Sequence, residues 1–593
     1  MKKNIYNKVK TLVIGLAAAT VAAGTFTSCN DFLDIEAHDL VTLENYWKEK
    51  ADVTSAIASC SSGMETYAVI SRMMIWGEFR SENITDNSPT TEDKDADLSR
   101  LLKENITASN GYTYWGDFYT VINRCNTVLQ YAPQVAASDP AYTQDQLNAN
   151  IAEVTALRAL CYFYLIRTFR DVPYTSEAYI DDTKEQNLAQ TPFNAVLDSC
   201  IASLEDVKDM ALKKYPESDM AAYNTSRVTQ NFIYALLCDM YLWKQDYDNC
   251  IKYANLIVSS KLQDAKDNKY SESDFANFAG YPLIDSYNRG DYGNDFNKIF
   301  VDGNSMESIF ELYFDGDSYN LWNGPVSNFY GAENSNPPYV MPTTYVSQLS
   351  SGLPSTLVHG DRSKGYDGRL FENIVYDMEG NAKYINKYTA ANSLTLQSSN
   401  KPYQNAMYGA RYGVYGSSYA SRNNSNYIIY RLSDIMLLKA EAFALKISTD
   451  GQIEEGTQDY NYLDSAFTIV QAVNNRALLE YPTKSHSLDI SDYTSKTLIL
   501  NEVYQERNRE LMFEGKRYFD LVRRAMREND TKYLRENVSN KNSSTASFVK
   551  DKLQRMDAIF WPVNLDELKA NPNLQQNSAF GSGENNSYTN SAN

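Results

Sequence analysis

Three charged residues near the C-terminal end, Arg507, Glu510 and Glu514, lie in ERNRELMFEGKRYFDLVRR at i, i+3 and i+7, flanked by apolar Val503 and Leu511. Two chemistries fit this pattern. A pair of carboxylates can hydrolyse a glycosidic bond, one as acid and the other as base or nucleophile. Charges interleaved with a core stripe can also form a buried ion network that bridges helices. The second fits better, because a buried charge is tolerated only when it is paired. The expectation is a structural network without a catalytic residue, with Gly515 ending one helix and allowing a turn into KRYFDLVRR.

Other reactive groups are sparse. No G-x-S-x-G, H-E-x-x-H, P-loop or G-x-G-x-x-G motif occurs, and His38, His359 and His486 lie in loop-like surroundings. That excludes most nucleophile and metal chemistries. Asp315 and Asp317 in YFDGDSYN offer oxygen ligands, yet the twelve-residue loop with a terminal Glu that marks an EF-hand is missing. Neither a metal nor another cofactor is expected. The seven cysteines include no C-x-x-C, and most fall on apolar helical stripes as small buried hydrophobes. Cys238 and Cys250 fall where two helices press together, near enough to bridge as well as to pack as thiols.

Aromatic residues concentrate in two loop-like stretches. GDSYNLWNGPVSNFYG carries Tyr319, Trp322, Asn323 and Tyr330, and YQNAMYGARYGVYGSSY carries Tyr408, Tyr412 and Tyr415 amid glycines. Rigid rings with polar tips, beside amides, suit the polar edges and weakly apolar C–H faces of sugars. These residues are the candidate ligand contacts. The competing expectation is that the tyrosines pack the insert against the helices.

The N-terminus carries a different chemistry. Lys2, Lys3, Lys8 and Lys10 precede the apolar TLVIGLAAATVAAGTF, the pattern of a secretory signal. FTSC then resembles a loosened lipobox, making Cys29 the expected lipidation site and first mature residue. Acyl chains contribute about 0.8 kcal/mol per buried methylene, and a stable anchor takes two or more. Ordinary cleavage nearby would instead leave Cys29 as a free or bridged thiol.

What must position these groups is a mainly helical chain. With 43% hydrophobic and 22% charged residues, the 593-residue sequence can build a large core, and after the leader no window reads as a membrane span. A net charge of -20 repels phosphate backbones, and no basic run appears, which argues against a nucleic-acid partner. Helical periodicity is clear in YWGDFYTVINRCNTVLQYA, IAEVTALRALCYFYLIRTF and LDSAFTIVQAVNNRALL. The stretch NFIYALLCDMYLWKQDYDNCIKYANLIVSS reads as a tetratricopeptide-like helix, turn and helix. Between the helical blocks the texture turns to Gly, Asn, Asp, Ser and Tyr, with strand-like pieces such as SIFELYF. The division follows: signal peptide 1–28, lipidated tether 29–42, helical region 43–262, irregular ligand-binding insert 263–425, helical region 426–577 and polar tail 578–593.

Several segments closely resemble the SusD/RagB family of outer-membrane nutrient-binding lipoproteins. They are SCNDFLD and ENYWK near the start, LRALCYFYLIRTFRDVP, YRLSDIMLLKAEA, ERNRELMFEGKRYFDLVRR and PVNLDELKANPNLQQN, in the family's order. The resemblance implies a helical scaffold of tetratricopeptide-like pairs carrying an irregular binding region. It also implies attachment to the outer membrane through lipid at the cell surface and a TonB-dependent, SusC-like transporter as partner. A glycan is the implied cargo, with peptides taken in the RagB-like branch. Family members bind and do not cleave, so a surface-anchored glycoside hydrolase is the more distant alternative.

Overall fold

The computed structural model describes residues 46–581 apart from the segments 348–366, 377–381, 389–395, 398–423 and 479–486 and several shorter stretches. Cys29 and the leader lie outside the described residues. The chain divides into a short unit, Met1–Lys48, and a unit spanning Glu49–Asn593, which carries everything below.

The first helical block comprises α1 (Lys50–Met64), α2 (Tyr67–Met74), α3 (Gly116–Ser138), α4 (Gln144–Phe169), α5 (Phe193–Val207), α6 (Gln230–Trp243) and α7 (Tyr247–Asp267). Thr143 caps α4 reciprocally with Gln146, satisfying the first backbone donors. Neighbouring helices pair, α3 with α4, α4 with α5 and α6 with α7, in the tetratricopeptide-like manner expected. Cys238 and Cys250 meet inside the α6–α7 pair, with sulfurs 3.6 Å apart as buried thiols. Burial pushes the Cys238 thiol well above its ordinary range.

One expectation needs correction. α4 is 26 residues long and passes by length and composition as a membrane span. Its apolar window is 83% buried, because α1, α3, α5 and α6 pack around it. Helical periodicity could not separate a span from a central core helix.

The middle of the chain is held by short pairings to distant partners. β1 (Ile84–Asp86) pairs antiparallel with β3 (Val340–Pro342), and β2 (Ser308–Leu312) with β6 (Tyr427–Arg431). Every residue of β2 and β6 is buried, the charged Glu311 and Arg431 included. β4 (Ile374–Tyr376) and β5 (Ala382–Ile385) form a hairpin. A short helix, α8 (Gly324–Phe329), lies in the same region.

The second helical block comprises α9 (Leu432–Lys446), α10 (Gln458–Ala477), α11 (Lys496–Leu511), α12 (Arg517–Glu528) and α13 (Leu565–Ala570). α9 packs on α10, α11 and α7, which joins the two blocks into one core. α11 ends at Leu511, four residues before Gly515, whose φ of 71° belongs to the turn itself. Trp76, Phe118, Phe169 and Trp561 cluster where the C-terminal segment closes on the first block, and Trp561 N–H donates to Thr168 O.

Candidate functional site

The charged residues of α11 and the turn after it serve two separate clusters. Arg507 grips Asp520 with two hydrogen bonds of 3.0 Å and reaches Asp434 at 2.9 Å. Glu510 instead accepts from Arg431 at 2.6 Å, from Arg369 at 3.2 Å and from Arg476. Glu514 lies beyond the helix end, where it accepts from Arg431 at 2.7 and 2.9 Å and from Lys387 at 2.8 Å. All of these side chains are buried. Burial alone would raise the Glu510 pKa, but the guanidiniums of Arg476, Arg431 and Arg369 overrule it and hold the carboxyl well below its usual range. Glu510 therefore stays ionised and cannot donate a proton to a leaving group.

The same cations tie the middle of the chain to α11. Arg476 also reaches Glu307 at 2.7 Å, and Arg369 reaches Asp367 and Glu506, each at 2.7 Å. Fixed in this way, the irregular region gains rigidity that its short strands could not provide alone.

The candidate ligand residues separate by burial. Asn323 is buried, with its amide donating to Ser425 O at 2.9 Å and its side-chain oxygen capping α8 at Val326 N–H. Tyr330 is equally buried; its hydroxyl donates to Phe513 O at 2.8 Å, and its ring packs against Phe79 and Phe513. Neither side chain reaches solvent, so both are removed from the list of ligand contacts. Tyr319, Tyr408, Tyr412 and Tyr415 lie outside the described residues, as does Asp317.

Trp322 is half-buried, with its ring laid over Gly316 so closely that a Cβ there would stand 2.1 Å away. Beside it Leu321 is 44% exposed. Around α8 the fold adds aromatic side chains that the sequence reading missed. Tyr67, the first residue of α2, is 46% exposed and accepts a 2.9 Å hydrogen bond from the Asn328 amide of α8. Gly324 lets that ring approach, since a Cβ there would meet it at 3.1 Å. Tyr112 lies near Tyr67, and its hydroxyl donates to Asp95 at 2.5 Å. Tyr114 is exposed with the Arg72 guanidinium 5.8 Å from its ring centre. Tyr339 stands near Tyr67 too, with Lys94 5.3 Å over its ring. Tyr67 thus meets Gly324 and Asn328 directly, with Tyr112 and Tyr339 near it and Tyr114 against Arg72 of the same helix, a set of partly exposed rings of the kind that stack on a polar ligand.

Among the described residues, no group of three or more His, Cys, Asp and Glu side chains stands ready for a metal ion.

Two family models match the chain. One is described as the SusD family and matches residues 306–580; the other, described as starch-binding associating with outer membrane, matches residues 31–242. "SusD-like protein P38" of Formosa agariphila is 23% identical over 94% of this chain and 97% of its own length. "SusD-like protein P2" of the same organism is 24% identical over 84% of this chain and 88% of its own. Among solved structures, a SusD superfamily protein from Bacteroides vulgatus superposes with a TM-score of 0.64 at 16% identity, covering 90% of this chain and 100% of that one. A "Laminarin binding SusD-like protein" superposes at 0.56 and 19% identity with the same coverage.

Proposed function

Since the chain belongs to the SusD family, whose members associate with the outer membrane, we propose that it is a cell-surface receptor that captures a glycan and passes it to a TonB-dependent, SusC-like transporter. The observation that carries the reading is the aromatic neighbourhood of Trp322, Tyr67 and Tyr114, partly exposed and flanked by Asn328 and Arg72. Rings of this kind stack on the C–H faces of sugars, and amides at their edges bond hydroxyls. One structural relative is a laminarin-binding SusD-like protein, and a glycan cargo for this chain agrees with it.

On this reading Cys29 carries the lipid and residues 29–42 form a tether to the outer membrane. The protein binds without cleaving; in support, Glu510 is buried and held by Arg369, Arg431 and Arg476 as part of the scaffold. Domain limits follow the division given above, with cargo contacts supplied by the 263–425 insert together with Tyr67 and Tyr114 of the first helical region.

The test uses protein beginning after residue 28, run through native gels cast with candidate polysaccharides. Retarded migration without product release is the expected result. Released sugar would turn the reading to a hydrolase, and retention of peptides in place of glycans to a peptide receptor.

A further inference from the structure

A cavity sharing none of its lining residues with the Trp322 neighbourhood opens between α6, α7 and the start of β2. Its volume is about 740 Å³, within the range of sites that hold small ligands. Four lysines line it, Lys213, Lys214, Lys261 and Lys269, against one carboxylate, Asp264. Asp264 is paired with Lys214 at 2.5 Å, which leaves the other three cations to set the local charge. On a chain of net charge -20 this is a reversal of sign. Screening confines the opposing charge of the remaining surface to about 8–10 Å, so the local surplus governs what enters.

Lys261 is the informative member. It is 7% exposed, and among the described residues its Nζ makes one hydrogen bond, to Ser308 O at 2.6 Å. An ammonium has three protons to donate. Burial lowers its pKa to about 8, with Asp264, Glu311 and Glu307 opposing the shift. Glu307 and Glu311 are engaged elsewhere, by Arg476 and by Ser308, Asn304 and Asn426. The ammonium therefore lacks a carboxylate partner of its own.

The rest of the lining is rich in amides and hydroxyls. Thr225 and Asn304 bond each other at 2.5 Å through the Asn304 oxygen, leaving the Asn304 amide protons for a ligand. Asn224, Asn268 and Ser305 add further polar edges, and Tyr270, 41% exposed, supplies the one ring in the lining. Amides and hydroxyls suit a polyhydroxylated ring, and lysines suit an anion upon it.

We propose that this cavity binds an acidic sugar, one bearing a carboxylate or a sulfate ester. The site does not depend on the Trp322 reading.

Titration calorimetry at low salt tests it with digalacturonate, galactose 6-sulfate, neutral maltose and an oligo-aspartate peptide. Binding of digalacturonate or of the sulfate ester, with maltose at least tenfold weaker, is the expected result and tells which anion is taken. The exposed double variant Lys213→Gln/Lys269→Gln should weaken that binding tenfold or more while the unfolding midpoint is unchanged. Lys261→Met should abolish it. All of these titrations are made on protein carrying Trp322→Ala, so that only the lysine-lined cavity is read. There, equal binding of maltose, preference for the peptide, absence of binding by either acidic sugar, or full binding by a folded Lys261→Met variant would overturn the proposal.

Discussion

Gly77 and Gly515 meet with no room for a side chain between them: a Cβ on Gly77 would stand 1.9 Å from the Gly515 carbonyl oxygen. Gly77 lies in the wide helical turn Ile75–Phe79 that prolongs α2, and Gly515 lies in the turn between α11 and α12. Residues 438 positions apart thus bring first and last helical blocks into backbone contact. Glu78 completes the join, since its carboxylate accepts from the N–H groups of Phe513, Lys516 and Arg517.

Gly77→Ala should therefore lower stability by about 3 kcal/mol or more, because the obstruction is backbone and cannot rotate away. Gly515→Ala adds a positive φ to a clash with the Tyr427 hydroxyl at 2.4 Å. Thermal unfolding of both variants checks this, and an unchanged midpoint would refute the packing argument.

Glu510→Gln should cost roughly 3–5 kcal/mol, since Arg369, Arg431 and Arg476 would remain buried around a neutral amide. Denaturant unfolding measures it. A Glu510→Gln protein as stable as the parent would mean that water reaches these guanidiniums.

Trp322→Ala and Tyr67→Ala should each weaken glycan retention at least about tenfold with little change in melting. Tyr330→Ala should do the reverse, lowering the melting temperature, because its ring and hydroxyl are both engaged in the core. Paired gel-retardation and melting measurements on the three variants separate cargo contacts from packing.

Burial pushes Glu65 and Glu78 up to about 7 from 4.5, against the hydrogen bonds each accepts. A carboxyl with a raised folded pKa holds its proton more tightly in the native state, so its contribution is complete below pH 4.5 and lost as pH rises to 7. Stability should decline across that window, and Glu78→Gln should flatten the slope. Melting profiles from pH 4.5 to 7.5 decide it; an identical slope in the variant would contradict the assignment.

Thiol titration should find Cys60, Cys125, Cys161, Cys200, Cys238 and Cys250 unreactive in the native protein and reactive once unfolded. Recovery of two thiols fewer would mean that Cys238 and Cys250 have bridged.

Much of the scaffold was legible because helix-forming stripes repeat locally. α3, α4, α6, α7, α9 and α10 follow from apolar spacing, and the charges of α11 were recognisable as buried because they alternate with Val503 and Leu511. Their partners were not legible, since Arg369, Arg431 and Arg476 come from segments with no shared periodicity. The candidate ligand contacts were harder still. Tyr330 and Tyr67 are the same residue type near turns, yet one fills the core and the other faces solvent, a difference set by what packs against each. Loop composition singled out Trp322, which the structure leaves half-buried, while the tyrosines of α2 and the 111–114 turn had no local mark of exposure.

The buried ion network has a temporal side. Arg369, Lys387, Arg431 and Arg476 all leave the ribosome before Glu510 and Glu514. Until residue 514 has emerged, those cations lack the carboxylates they share in the finished fold, so the join between the middle of the chain and α11 can form only late in synthesis.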